Sequence, residues 1–504
     1  MLSTYLIFCA LVAAALAVVQ LAIRVFRLRG NPGPLLARFT DVWRFRAMRS
    51  KGWSARLVNL HQKHGKLVRI GPNHVSVSDP AAIPIIYGTN PVWVKGPSYY
   101  GAATVSKGRT VPSVIAMGEA QHTAVRKSAG RHFTTNSLLD YEPSIEAATD
   151  ELVRVLERHP TADIANYLQC FAMDVLMRIA FSESLGFIEK GADVDGILAA
   201  VVARFDHWGH WAALPGADYL LNKSALAGKL RKKGDSPLAR VSLAQLVKRK
   251  SAMAILEKKP DRMDLLQKFL DGQAKYPDIV SDDEILGIIM STIGAGADTT
   301  AGTLAYTLYL LCKHPAAAQK LQAELDTAVR EGNLTNPPKW CQVNKLPYLE
   351  AVLKESMRII PIASWGLDRV VPPGGATIAG KYIPGGTVVG CNIDAVHLDE
   401  DVYGRDAAVF WPERWLEADE EQRRRMDRAF LAFSAGKRTC TGIHIAWLEM
   451  KKTLPLLLMS FEMELVNPDQ DVRGDVRISA VKYPPPIWMK IRKREPVEML
   501  SLAA

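Results

Sequence analysis

Between Ser281 and Cys312 the chain carries roughly 30 residues of apolar, helix-periodic sequence, longer than an ordinary globular helix. A helix of that length and polarity belongs at the centre of a large helical body. Its start is marked by Ser281-Asp282-Asp283-Glu284, the Ser-x-x-Glu spacing of a capping box, and it stops before His314-Pro315. Its middle, Gly294-Ala295-Gly296-Ala297-Asp298-Thr299-Thr300, is poor helix-forming material, each glycine costing about 1 kcal/mol relative to alanine. A buried helix with so weak a centre needs something to approach its backbone closely. The glycine spacing partly matches a dinucleotide fingerprint, but the third glycine is missing and no strand precedes it.

The rest of the chain supports a fold that is mainly α with small β-sheets. Leu67–Ile70 and His74–Ser78 are strand-like and flank the turn Gly71-Pro72-Asn73; a second strand-rich patch covers Val370–Asn392. With 504 residues, 48% of them hydrophobic, the chain can bury a large core and is not disordered by composition. Lys and Arg outnumber Asp and Glu 63 to 52, but they are scattered and match no nucleic-acid-binding pattern. A solvated basic surface and a docking face for an acidic partner both fit that surplus. The cysteines, Cys9, Cys170, Cys312, Cys341, Cys391 and Cys440, form no CxxC pair and no disulfide framework.

From Met1 to Ile23 there is no charged residue, a stretch long enough to cross a bilayer core as a helix. Arg24, Arg27 and Arg29 follow at once, which by the positive-inside rule puts the downstream chain in the cytosol. A cleaved signal peptide is the competing reading, yet its positive charge normally precedes the apolar run. The sequence thus predicts a single N-terminal transmembrane helix over 1–23, a basic, Pro-rich hinge over 24–34 and one catalytic body over 35–504. With a cytosolic body, the sequons at Asn222 and Asn333 are expected to stay bare.

Phe433-Ser-Ala-Gly-Lys-Arg-Thr-Cys-Thr-Gly442 is the most informative decapeptide. A Cys440 thiolate on a haem iron would donate electron density and favour O–O cleavage. Gly436 and Gly442 let backbone pass close to a flat macrocycle, and Arg438 can pair with a propionate. Taken alone, a cysteine beside Gly and Arg favours the reading of a structural loop.

The decapeptide matches the signature Phe-x-x-Gly-x-Arg-x-Cys-x-Gly, and the chain resembles the cytochrome P450 family. Glu355-Ser356-Met357-Arg358 resembles the family's Glu-x-x-Arg motif, Pro412-Glu413-Arg414-Trp415 its Pro-Glu-Arg-Phe element with Trp for Phe, and Ala295–Thr300 its oxygen-binding helix segment. The resemblance implies the cytochrome P450 fold, haem b with Cys440 as axial metal ligand, and Phe433 and Gly436 in the cofactor loop. It implies a buried structural triad of Glu355, Arg358 and Arg414, and an acid–alcohol pair, Asp298 and Thr299, that relays protons in the oxygen chemistry. Local capping of a bent helix is the other reading of that pair. For the propionates the resemblance points to Arg438, Arg126, His122 (where the family has Trp) and Arg369; each could equally be a solvated surface group.

The resemblance places the substrate pocket along Tyr99–Met117, Ile293–Ala297 and Ala363–Leu367. Phe205–Trp211 falls where the family has a mobile lid beside the membrane; its His207 and His210 read as interfacial rather than as metal ligands. A lipophilic small substrate follows. The wording of Lys66–Asp79 and Tyr403–Leu416 is most similar to the fungal pisatin-demethylase-like branch, which implies oxidation of a secondary metabolite or detoxification of a phytoalexin. The chain ends at Ala504 without a flavin-binding extension after Cys440. Electrons are therefore expected from NADPH through a separate flavoprotein, NADPH-cytochrome P450 reductase, with cytochrome b5 as an optional second donor. Arg126, Lys127, Lys437, Lys451 and Lys452 are candidates for the docking face. The resemblance implies an endoplasmic reticulum membrane with the body facing the cytosol. The alternatives are a haem-thiolate isomerase or dehydratase needing no O2, a non-enzymatic haem sensor or carrier, and an interaction protein on an inactive scaffold.

Overall fold

The computed structural model describes residues 2–497, apart from 51, 107, 108, 112, 225, 228–235, 257–263, 364, 365, 473–476 and 479. The helices that shape the site are α1 (Leu2–Arg27), α2 (Glu119–Ala129), α3 (Ile164–Phe181), α4 (Ile197–Trp211), α5 (Asp282–Lys313), α6 (Pro347–Ile359) and α7 (Ile443–Ser460). The strands that matter are β1 (Leu67–Gly71), β2 (His74–Val77), β3 (Arg369–Val370) and β4 (Val388–Cys391), in the sheet order β1-β2-β4-β3. β1 and β2 form the expected hairpin, pairing Leu67 with Val77, while β2 and β4 run parallel with Val75 opposite Val389.

α5 is the central helix, and its capping box is formed: Glu284 N–H donates to Ser281 Oγ while the Glu284 carboxylate accepts from the Ser281 N–H. Its weak centre has a packing cause. A Cβ on Gly296 would stand 2.9 Å from Leu176 Cδ1 on α3, and one on Gly302 would stand 3.0 Å from Ile362 Cδ1. The glycines let α3 and the segment after α6 close on the α5 backbone, exchanging helix propensity for buried contact.

α1 forms as a helix with large apolar side chains on its surface, among them Tyr5, Phe8, Leu11 and Val18. Among the described residues, the helix that is long and apolar enough to cross a membrane by length and composition is α3, and that helix is mostly buried in the core. The junction after α1 is not a loose hinge. Arg69, fully buried, donates to the carbonyls of Arg24, Val25 and Arg38 as well as Gly71 and Pro72. A cation on the last carbonyls of α1 satisfies groups that the helix end leaves open and suits the negative pole of its dipole. The C-terminal end of α1 is thereby fastened to the β1–β2 hairpin.

Candidate active site

Phe433, Arg438 and Cys440 lie on the wall of an internal cavity of about 370 Å³, and the opposite wall carries Phe205, Trp208, Ala295 and Thr299. Local geometry fixes the loop. Cys440 N–H donates to Phe433 O at 2.9 Å, and Gly436 turns with φ +67°. A Cβ on Gly436 would sit 1.8 Å from Tyr87 O, so the position excludes any side chain. Cys440 lies deep in the protein with its open surface facing the cavity. Burial pushes its thiol up, while the N–H groups of Gly442 and Ile443, at the N-terminus of α7, favour the thiolate. A metal at the sulfur would settle that balance by replacing the proton.

The triad assembles as expected and is entirely buried. Arg358 makes a two-pronged contact with Glu355 at 2.7 and 2.9 Å, and Arg414 Nε reaches Glu355 Oε1 at 3.2 Å. The Trp that stands for Phe, Trp415, donates its indole N–H to Glu355 Oε2 at 2.9 Å, and the Trp411 N–H donates to Oε1. Remaining Arg358 protons go to the carbonyls of His397, Ala407 and Val409. His397 then connects triad to loop. It donates from Nδ1 to Arg358 O, accepts the Leu431 N–H at Nε2, and stacks on Phe430. Burial and the Arg358 charge push His397 down to about 3, so the ring stays neutral in that two-sided role.

The charged groups on the cavity are left open. Arg438 binds Glu119 at 2.8 Å and Met117 O, but its Nη1 is buried with no partner. His122 also lines the cavity, and its Nδ1 is buried and unpaired. Burial first, then Arg438 and Lys95, push His122 down to about 4. Arg126 donates to Lys437 O at the cavity edge. Lys95, absent from the sequence reading, sits deep on the same wall, donating to Ile115 O at 2.8 Å. Burial pushes its ammonium well down, with Arg438 and Arg369 adding to the shift. Its signal was faint: one lysine between Val94 and Gly96.

Arg369 is placed differently from the other propionate candidates. It is buried off the cavity wall, donates to Leu367 O and Asp368 O, and lies over the Tyr87 ring. Its positive charge still reaches Lys95 and Tyr99. Around Glu119, then, cations outnumber carboxylates, and a buried guanidinium N–H and a buried imidazole nitrogen have no protein partner. A macrocycle with two carboxylates over Cys440 fits these residues.

The acid–alcohol pair is split. Thr299 lies on the cavity wall and donates to Ala295 O at 2.7 Å, the capping bond of the plainer reading. Asp298 is off the wall, held by Gln169 Nε2 at 2.8 Å and Tyr483 OH at 2.6 Å. Burial pushes the Asp298 carboxyl up to about 6 against those two donors. Glu449, the one acid in α7, also lines the cavity; its Oε1 is unpaired and burial pushes its carboxyl well up.

The thiol-bearing loop, the closed triad and the propionate-ready cations agree with what sequence comparison shows. The chain belongs to the cytochrome P450 family. The family model for cytochrome P450 matches residues 32–491. A cytochrome P450 monooxygenase of Aspergillus terreus is 36% identical over 455 residues, spanning 88% of this chain and 92% of that one. Cytochrome P450 monooxygenase cicH of Emericella nidulans is 34% identical over 88% of this chain and 90% of its own. Cytochrome P450 monooxygenase mfmA of Annulohypoxylon moriforme is 31% identical over 91% and 92%. As a member of that family the chain is a haem-thiolate monooxygenase that uses haem b and electrons from a redox partner.

Two surface expectations are revised by the side chains. Lys451 and Lys452 are buried in ion pairs with Glu350 and Glu142, which takes them out of any docking face and leaves Arg126, Lys127 and Lys437. Phe205 and Trp208 point inward rather than to a membrane interface; Trp208 donates to Ser98 O and packs on Tyr99. His207 pairs with Asp218, and no metal-ligand cluster occurs among the described residues. Of the expected pocket segments, Tyr99, Val114, Ile115, Ala295, Gly296, Ala363 and Leu367 reach the cavity, while 107, 108, 112, 364 and 365 lie outside the described residues.

Proposed function

We propose that this P450 oxidises a lipophilic small molecule of fungal secondary metabolism at a membrane, drawing electrons from NADPH through a separate flavoprotein reductase. The observation that carries the reading is the cavity itself, which is overwhelmingly apolar and runs without interruption from Cys440 to Phe205 and Trp208. When bound, the haem supplies the redox chemistry, placing one atom of O2 in the substrate and releasing the other as water. The chain's own residues would do the rest. Cys440 holds the iron; Arg438, Lys95, His122 and Arg126 hold the propionates; the apolar walls exclude water. Thr299 Oγ1, one of several hydroxyls on the cavity, can hand on a proton, and Asp298, near half-protonated at about pH 6, can reload it by turning from Tyr483.

Membrane attachment rests on α1 and on a second apolar surface. Tyr219, Leu220, Leu221 and Leu226 beyond α4 are all exposed, as are Leu35, Leu36 and Phe39. A body so attached would face the cytosol at the endoplasmic reticulum with Asn222 and Asn333 bare. The test is reconstitution with reductase, NADPH and a substrate found by screening. Product carrying one oxygen from labelled O2, and none without NADPH, is expected; turnover without either would establish the isomerase alternative.

A further inference from the structure

Arg204 is a partly buried cation that the haem does not account for. It projects from α4 at the far end of the cavity, where Nη2 donates to Ala102 O at 3.2 Å and Ser113 Oγ at 3.3 Å. Its Nη1 lies beside the α5 backbone, 3.9 Å from where a Gly294 side chain would begin, an ordinary packing distance. With Ala102, Ile115, Phe205, Trp208, Ser291 and Ala295 it lines a side chamber of about 10 Å³. Ile115, Phe205, Trp208, Ser291 and Ala295 also line the main cavity, so the chamber adjoins it and brings Arg204 to its edge. Among the described residues no carboxylate pairs with Arg204. Ser291 offers a second group there: its hydroxyl is buried without a partner.

An isolated charge in an apolar interior is costly and persists where something of opposite sign meets it. The guanidinium fork matches a planar carboxylate, and a hydroxyl beside it can donate to the same group. We propose that the substrate is a lipophilic carboxylic acid, bound with its carboxylate on Arg204 and Ser291. This rests on the monooxygenase reading and adds the substrate class. The acid's head is fixed at the α4 end, its apolar body fills the cavity toward Cys440, and oxidation falls on carbons remote from the carboxylate. Lys223, which donates to Tyr100 O and Gly101 O nearby, adds positive potential at that end, although Asp218 offsets it.

The experiment is calorimetric binding to the haem-loaded, full-length protein, with dodecanoate against dodecanol and 4-pentylbenzoate against 4-pentylbenzyl alcohol. In wild type, the acid of at least one pair should bind about tenfold or more tighter than its alcohol. Arg204→Gln should remove that preference while leaving alcohol affinity within about twofold, Arg204→Lys should keep part of it, and Ser291→Ala should reduce it several-fold. Absence of acid preference in both pairs overturns the proposal. So does equal loss of acid and alcohol binding in Arg204→Gln, which would make Arg204 a brace for the Ala102–Ser113 segment. The wild-type comparison stands even if a variant fails to fold. Binding without turnover separates this result from failure of the monooxygenase reading.

Discussion

Near the Cys440 loop, Glu355 directs both carboxylate oxygens to Arg358, Arg414, Trp415 and the Trp411 amide, and Arg358 finds carbonyls for its remaining protons. On the cavity side, Arg438 and His122 are also buried and Lys95 partly so, yet Arg438 Nη1 and His122 Nδ1 have no protein partner. Both clusters look alike in a list of residue types. What separates them is closure: a structural charge cluster consumes its own valences, whereas a cluster built for a ligand leaves some open. Asp298 differs from both groups: its two oxygens are held by Gln169 and Tyr483, yet burial still disfavours its charge, while Arg204 has no carboxylate partner.

The contrast predicts opposite signs for mutation. Arg358→Ala strips the closed cluster of a member and leaves Glu355 buried and under-paired, a loss of about 3–5 kcal/mol. It should yield haem-free or insoluble protein, and normal haem content with unchanged melting would break the comparison. Asp298→Asn acts the other way. The Asp298 proton is held more tightly in the folded state, so stability falls as pH rises from the unfolded value of 3.8 through about 6. Denaturation at pH 8 should show the Asn variant more stable by about 2 kcal/mol, with the gap closing toward pH 4. Loss of coupling between NADPH use and product should accompany that gain.

Lys95→Met should sharpen the contrast within one variant. Removing a buried cation stabilises the haem-free protein, while haem dissociation to an acceptor quickens by about tenfold. Equal shifts in both states would make Lys95 purely structural. Trp415→Phe, which restores the family's usual residue, removes one donor from Glu355 and should lower stability by about 1 kcal/mol in denaturant titration. No change would mean the indole bond is idle.

Much of this was legible in the chain because the decisive groups lie close in sequence. The decapeptide, the capping box, the hairpin and the Glu355–Arg358 spacing are local patterns, and the structure forms each of them. What the sequence hid is long-range. Lys95 meets Arg438 across the fold, Gln169 and Tyr483 meet Asp298 from distant segments, and Lys451 and Lys452 are neutralised by Glu350 and Glu142. The orientation of Phe205 and Trp208 was equally invisible, since aromatic residues suit a membrane interface and a cavity wall alike. The glycines of α5 announced a close approach without naming Leu176 as the group approaching.

The central claim is that the Cys440 thiolate holds the haem iron. The reduced carbon-monoxide difference spectrum of purified protein, recorded beside Cys440→Ala, tests it most directly. A strongly red-shifted Soret band in wild type, lost in the variant, is the predicted result. A histidine-like band, or a red-shifted band that survives the substitution, would contradict it.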